Sequence, residues 1–317
     1  MTRYVVRRIG QSVLVLLVMS FVIYGLIGLM PGDPIDIMIA SNPGATPEVV
    51  AQLRKIYGLD QPLLLRYWHW LSSALIGDFG FSRTHSQPVM LVLVPALIQT
   101  CKLMIASFVV SVVLSFILGI WAALKPGGWV DSVVSLIAFA GISVPVFWLA
   151  LMMILVFAVE LHWFPASGIS KVGDGSLRDH LMHLVMPVTT LALANTGGFT
   201  RYVRASMIET LRMDHVRTAR AKGASEFRVV LIHAFRNALI PVVTIMALSF
   251  GVLFNGALLT ETMFAQPGMG KMIYDSILGN DFNLALTGLL FATMVTLASN
   301  LAADLTYGAL DPRISLT

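Results

Sequence analysis

Charge is what this chain has least of. Only 12% of its 317 residues are Asp, Glu, Lys or Arg, while 57% are hydrophobic, whereas about a quarter of a soluble domain's residues are charged. The net charge of +4 does not indicate a nucleic-acid binder, because no basic surface interleaved with aromatics accompanies it. Cysteine is represented by Cys101 alone, which excludes a disulfide within the chain. No GxxxxGK[ST] run is present to cradle a nucleotide's phosphates, and no HExxH pair to hold a catalytic zinc. P-loop ATP hydrolysis and that protease chemistry are thereby excluded. Carboxylates are missing from the apolar stretches, where a proton-coupled carrier needs several.

What is abundant is uninterrupted apolar sequence. Six stretches without Asp, Glu, Lys or Arg recur at 9–30, 103–124, 132–159, 180–200, 237–260 and 282–303, each near the roughly 20 residues a helix needs to cross a bilayer. The reading is an all-α, polytopic membrane protein with six transmembrane helices in one domain, residues 1–317. The first stretch follows Arg3, Arg7 and Arg8 but is too long for a cleavable signal core, and no small-x-small site precedes Met30. It reads as a retained span. Placing both termini in the cytoplasm puts thirteen of the 21 Lys and Arg residues inside, as the positive-inside rule asks. Residues 31–97 are then extracytoplasmic, with a short helix expected from Thr46 to Gly58, and 201–236 form a cytoplasmic loop.

That loop carries eight of the basic residues. Within it Asp214 reads as the N-cap of a short helix stopped at Gly223, and Ser225 as the N-cap of a second helix that enters the membrane toward Pro241. Small Ala219 and Ala221 among Arg217, Arg220 and Lys222 suit insertion into a cleft of a soluble partner; ordinary positive-inside charge explains the same residues. His180 and His183 lack a third ligand nearby and read as interfacial anchors, so no metal site is expected. Pro145, Pro187 and Pro241 are either pivots or ordinary membrane prolines. Gly251 and Gly256 flank Asn255, the better candidate for lining a pathway. Asp304, one turn beyond Asn300, reads as structurally paired. The segment 260–271 reads as an external loop exposing Met263, Phe264 and Met269.

The loop "RTARAKGA" followed by "HAFRNALIP" resembles the cytoplasmic loop of permease subunits of ATP-binding-cassette importers, in the dipeptide, oligopeptide and nickel branch. Further matches follow in the family's order: "MPGDP", "YGLDQPLLLRYWHWL", "GISVPVFWLAL", "FPASG", "LLTETMFAQPGMGK" and "DLTYGALDPRI". The sequence departs from the wider family at Arg217, where an acidic residue is usual, and at Gln266, where tryptophan is usual. The resemblance implies a type I importer permease fold in a bacterial inner membrane. It implies two ATPase subunits that hold ATP and Mg, a second homologous six-helix permease, and an extracytoplasmic binding protein, with no cofactor in this chain. It also implies coupling to the ATPase through His215, Arg217, Thr218, Ala219, Arg220, Ala221, Lys222, Gly223 and Ala224. Pathway or binding-protein contacts would fall on Asn255, Glu261, Met263, Phe264, Gln266 and Met269. The cargo expected is di- or oligopeptide, with a nickel complex or another peptide-like solute as the alternative.

Overall fold

The computed structural model describes residues 2–29, 60–251 and 253–310. The helix expected at 46–58 lies outside the described residues. Helix α1 spans Thr2–Ile27 and helix α2 spans Leu63–Leu75. A two-stranded antiparallel hairpin, β1 (Phe81–Ser82) and β2 (Gln87–Pro88), pairs Phe81 with Pro88. Then follow α3 (Val89–Leu124), α4 (Trp129–Ser143), α5 (Val146–Glu160), α6 (Leu177–Leu211), α7 (Asp214–Ala221) and α8 (Glu226–Phe250). The chain closes with α9 (Leu253–Met263), α10 (Met269–Leu278) and α11 (Phe282–Leu310).

Four of these, α1, α3, α8 and α11, are long and apolar enough to cross a membrane, and the α4–α5 pair adds a fifth if it counts as one span. One expectation is corrected here. Residues 132–159 do not form one straight span, because α4 and α5 meet at a bend of 103°. Val144 is extended at the break, and Pro145 has no N–H to continue the ladder. The stretch 180–200, expected as a span, lies within the single helix α6, which is long enough but less apolar than the other four. Its Thr189, Thr190, Asn195, Thr196 and Thr200 explain the shortfall. Helix α6 tolerates them because α3, α4, α5, α8 and α9 pack around it, so little of it faces lipid.

The α3–α6 contact is close because α3 presents buried Ser107, Ser111, Ser115 and Gly119 at four-residue spacing. Small residues so spaced let membrane helices approach without a hydrophobic driving force. Ser115 Oγ donates to the Ser111 carbonyl at 2.5 Å and lies 3.3 Å from the Thr196 carbonyl, which keeps the hydroxyl satisfied inside the seam. Two apolar clusters flank it. One, toward the hairpin end, joins Leu93, Met104, Leu191, Phe254 and Met269. The other, toward the 201–236 loop, joins Phe199, Val203, Met207, Val216, Val229 and Met246.

Candidate functional site

At the loop end, α7 is eight residues long, too short to persist alone. Its helix begins at Asp214 with Met213 as N-cap, one residue earlier than the capping expected from Asp214. It ends in a Schellman motif: Ala224 N–H donates to the Ala219 carbonyl and Gly223 N–H to that of Arg220, with Gly223 at φ +80°. Ser225 is the N-cap of α8, as expected. The helix is held by two side chains three residues apart. Val216 and Ala219 are buried among Phe199, Val203 and Met207 of α6 and Val229, Val230 and Ala234 of α8. Ala219 was expected to face a partner's cleft. It faces this chain instead, because the i, i+3 pair with Val216 is the only apolar stripe that α7 offers.

The opposite face is exposed and basic. Arg217, Thr218, Arg220, Ala221 and Lys222 all point outward, and His215 makes a 3.0 Å contact with Asn237 of α8. Arg220 is bidentate to Glu226, at 2.8 and 3.2 Å, which raises the guanidinium pKa and braces the Gly223 turn. Phe227 stands beside this face with 76% of its surface exposed. Sequence reasoning passed over it, although a bulky apolar residue between Glu226 and Arg228 is a visible signal.

A second brace ties α4 to α6. The Asp131 carboxylate, nearly buried, accepts two hydrogen bonds from Arg204, at 2.5 and 2.7 Å, and a third from Gly127 N–H at 2.8 Å. The last of these closes the "LKPGGWVD" turn. At the same end Arg8 of α1 pairs with Asp304 of α11 at 3.1 Å, so Asp304 has the structural partner expected of it.

At the opposite end the segment 260–271 corrects the expectation of an exposed loop. It consists of α9 and α10 joined by five residues. Glu261, Phe264, Gln266 and Met269 are all buried, each no more than 5% exposed, and Met263 is partly buried. The side chain of Asn255 lies outside the described residues. Burial follows from the turn itself, because α10 folds back so that Glu261 meets its N-terminus. The carboxylate accepts from Lys271 N–H at 3.1 Å and from Thr100 Oγ1 at 2.5 Å, while Thr100 Oγ1 accepts from Met269 N–H at 2.7 Å. A carboxylate placed there offsets the unpaired amides and the positive end of the helix dipole. Any Cβ at position 268 would overlap the Glu261 carboxylate, so glycine is required. Gln266 Nε2 donates to the Gly168 carbonyl at 2.7 Å, and Gly168 N–H donates to the Phe264 carbonyl at 2.9 Å. Gln266 thus fastens this turn to the "FPASG" loop.

Asp281, just before α11, forms a third junction that the sequence did not disclose. Its carboxylate accepts from Ser82 Oγ at 2.6 Å, Thr84 Oγ1 at 2.7 Å and Thr84 N–H at 3.0 Å. Burial raises its pKa, but the hydrogen bonds from Ser82 and Thr84 outweigh that and hold it below the ordinary aspartate value. The neighbouring Asn283 Nδ2 donates to the Phe81 carbonyl at 3.1 Å, and Arg83 donates to the Gly279 carbonyl. The hairpin is therefore locked onto the start of α11. His183 and His180 each contact a backbone carbonyl at 2.8 Å, those of Asp179 and Ile169. Among the described residues no group of three His, Cys, Asp or Glu is placed to hold a metal.

Residues 115–316 match the family described as binding-protein-dependent transport system inner membrane component, and residues 1–91 match the N-terminal family of such membrane components. The chain belongs to this transport family. The permease is 37% identical over 314 residues to a Brucella abortus (strain 2308) chain named as a peptide transport system permease protein, with 99% of each covered. It is equally similar, over the same coverage, to the glutathione transport system permease protein GsiC of Escherichia coli (strain K12). Its fold is shared with a chain in the inward-facing MetNI methionine ABC transporter, at TM-score 0.58 and 18% identity, over 70% of the permease and 97% of that chain. The permease is thus an importer's membrane subunit, multi-pass in the inner membrane, and works with an ATPase and a binding protein.

Proposed function

We propose that this permease forms half of a pathway for short peptides, delivered from outside by a binding protein and driven by ATP hydrolysed on two partner ATPases. A second, homologous six-helix permease would form the other half. In this reading α6 serves as the sixth span, both termini are cytoplasmic, and residues 201–236 face the ATPases. Peptides come first as cargo because relatives covering 99% of the chain are named for peptide and glutathione transport.

The observation that carries the reading is α7, a short helix with a basic outer face whose inner face lies in the same apolar cluster as α6 and α8. Close-packed clusters transmit displacement rather than absorb it. A push on Arg217, Ala221, Lys222 and Phe227 by a closing ATPase pair therefore moves α6 and α8 together, and the Asp131–Arg204 pair carries α4 with them. At the far end, the Glu261 and Gln266 junctions hold the α9–α10 turn against α3 and the 164–168 loop. These two residues act as gate supports rather than as side chains touching cargo. Asn255, Met263, Phe264 and Met269 would line or support the pathway mouth nearby. The permease itself supplies no nucleotide chemistry; ATP and Mg sit on the partners.

The test is reconstitution of the permease, with the partners that co-purify with it, in proteoliposomes. ATP-dependent accumulation of labelled di- or oligopeptide, requiring the binding protein, is expected. ATP-dependent uptake of a nickel complex without peptide uptake would overturn the cargo assignment. Uptake that ignores ATP but collapses with the proton gradient would overturn the importer mechanism.

A further inference from the structure

Helix α2 presents an apolar stripe that none of the other described residues covers. Leu64, Trp68, Leu71 and Leu75 follow one another at i, i+4, i+7 and i+11, which sets them on one face of a helix. Leu64, Trp68 and Leu75 are 69%, 62% and 77% exposed, and Ile76 beyond the helix is 84% exposed. His69, on another side of the helix, is exposed and polar. With 13 residues, α2 is too short to cross the roughly 30 Å hydrocarbon layer.

Its attachment places it. Tyr67 Oη lies 2.8 Å from Ser20 Oγ of α1, and its ring meets Phe21 and Tyr24 edge-on at 5.2 and 5.6 Å. Trp70 stacks obliquely on Tyr24 at 5.7 Å and packs with Ile23, Ile27 and Leu286. These partners lie toward the end of α1 remote from Arg7 and Arg8, where a spanning helix leaves the hydrocarbon. Beside them on α1, Val18, Val22 and Leu26 are exposed at 55%, 42% and 61%, as lipid-facing residues of a span are. The uncovered stripe of α2 therefore adjoins surface that already faces acyl chains. Tryptophan and tyrosine concentrate at this depth because their rings are apolar and their N–H and O–H groups need water.

We propose that α2 is an interfacial amphipathic helix lying in the outer leaflet, with Leu64, Trp68, Leu71 and Leu75 in the acyl region and His69 toward the headgroups. It is a lipid-contact surface that braces the outer end of α1 parallel to the membrane. The choice of leaflet rests on the topology proposed above; membrane contact does not.

The test uses the full transporter in nanodiscs of phosphatidylethanolamine and phosphatidylglycerol. In a Cys101→Ser background, a spin label is attached in turn to Leu64→Cys, Trp68→Cys, Leu75→Cys and His69→Cys variants that still assemble with the partner subunits. Oxygen, which partitions into lipid, should outcompete a water-soluble nickel chelate as relaxant at positions 64, 68 and 75. The order should reverse at 69. Equal, high access to the chelate at every position would overturn the proposal. So would protection from both relaxants at 64, 68 and 75, since the stripe would then be covered by protein, whether residues 30–59 of this chain or a second permease. Protection that appears only when the binding protein is added would assign the face to that partner instead. Failure of peptide uptake with the expected relaxation pattern intact would count against the cargo proposal and leave this one standing.

Discussion

Replacing Val216 by alanine tests the proposal that α7 transmits the ATPase stroke. Val216 is fully buried at the root of α7, and its Ala variant keeps helix propensity while removing two methyl-sized groups. At about 0.8 kcal/mol per buried carbon the loss is about 1.6 kcal/mol, and incomplete collapse of the cavity brings it to about 2 kcal/mol. Ala219 is the other buried side chain of α7, and the His215 and Arg220 contacts are exposed, so most of this loss falls on docking of the helix rather than on the whole fold. With 1.4 kcal/mol per tenfold, the undocked population rises about fifteen- to thirtyfold. The assay is simultaneous measurement of ATP hydrolysed and peptide accumulated in proteoliposomes. Assembly with the ATPases should persist through Arg217, Lys222 and Phe227, while ATP consumed per peptide rises severalfold. An unchanged ratio in Val216→Ala, with normal assembly, would refute the idea that the buried face of α7 carries the stroke.

Other outcomes follow from single contacts. Gly197→Ala should lower thermal stability by about 1–3 kcal/mol through overpacking, because its Cβ would overlap the Ala138 carbonyl oxygen of α4; Gly198→Ala, with nothing within 4 Å of its Cβ, should be near neutral. Thermal unfolding in nanodiscs distinguishes them. Arg204→Ala leaves the nearly buried Asp131 unpaired and should cost about 3 kcal/mol, the low end for breaking such a pair because Arg204 is partly exposed; Asp131→Asn in the same chain should recover part of the loss. Arg204→Lys should not fully rescue it, since lysine cannot make the bidentate contact. Asp281 is depressed in the folded protein, so its contribution is full above the ordinary aspartate pKa and is lost as pH falls through the folded value. The melting temperature should therefore fall on acidification through that range, and less steeply in Asp281→Asn.

The loop's architecture could be read closely from residues 214–225. Gly223 has to adopt a left-handed backbone and Ser225 favours a helix start, and both are local properties. The direction in which Ala219 points is not local. It depends on Val216 three residues earlier finding an apolar pocket built from α6 and α8, more distant in the chain. The segment 260–271 shows the same division more sharply. Its proline, glycines and apolar residues read equally as a flexible external loop, because composition cannot reveal that Thr100, over 150 residues away, meets Glu261 and buries the turn.

Sequence alone determined that this protein lives in a membrane, that its chain is helical, that it carries no P-loop, and where the short basic helix of the 201–236 loop ends. These follow from the transfer cost of charge, the length of apolar runs and the backbone preferences of glycine and serine, all of which act over a few residues. Tertiary structure decided the break at Pro145, the shielding that lets α6 keep its threonines, and the carboxylates of Asp131, Glu261 and Asp281 as junctions between distant segments. A buried carboxylate is tolerable only where several donors converge on it, and convergence is a property of packed helices rather than of neighbours in the chain.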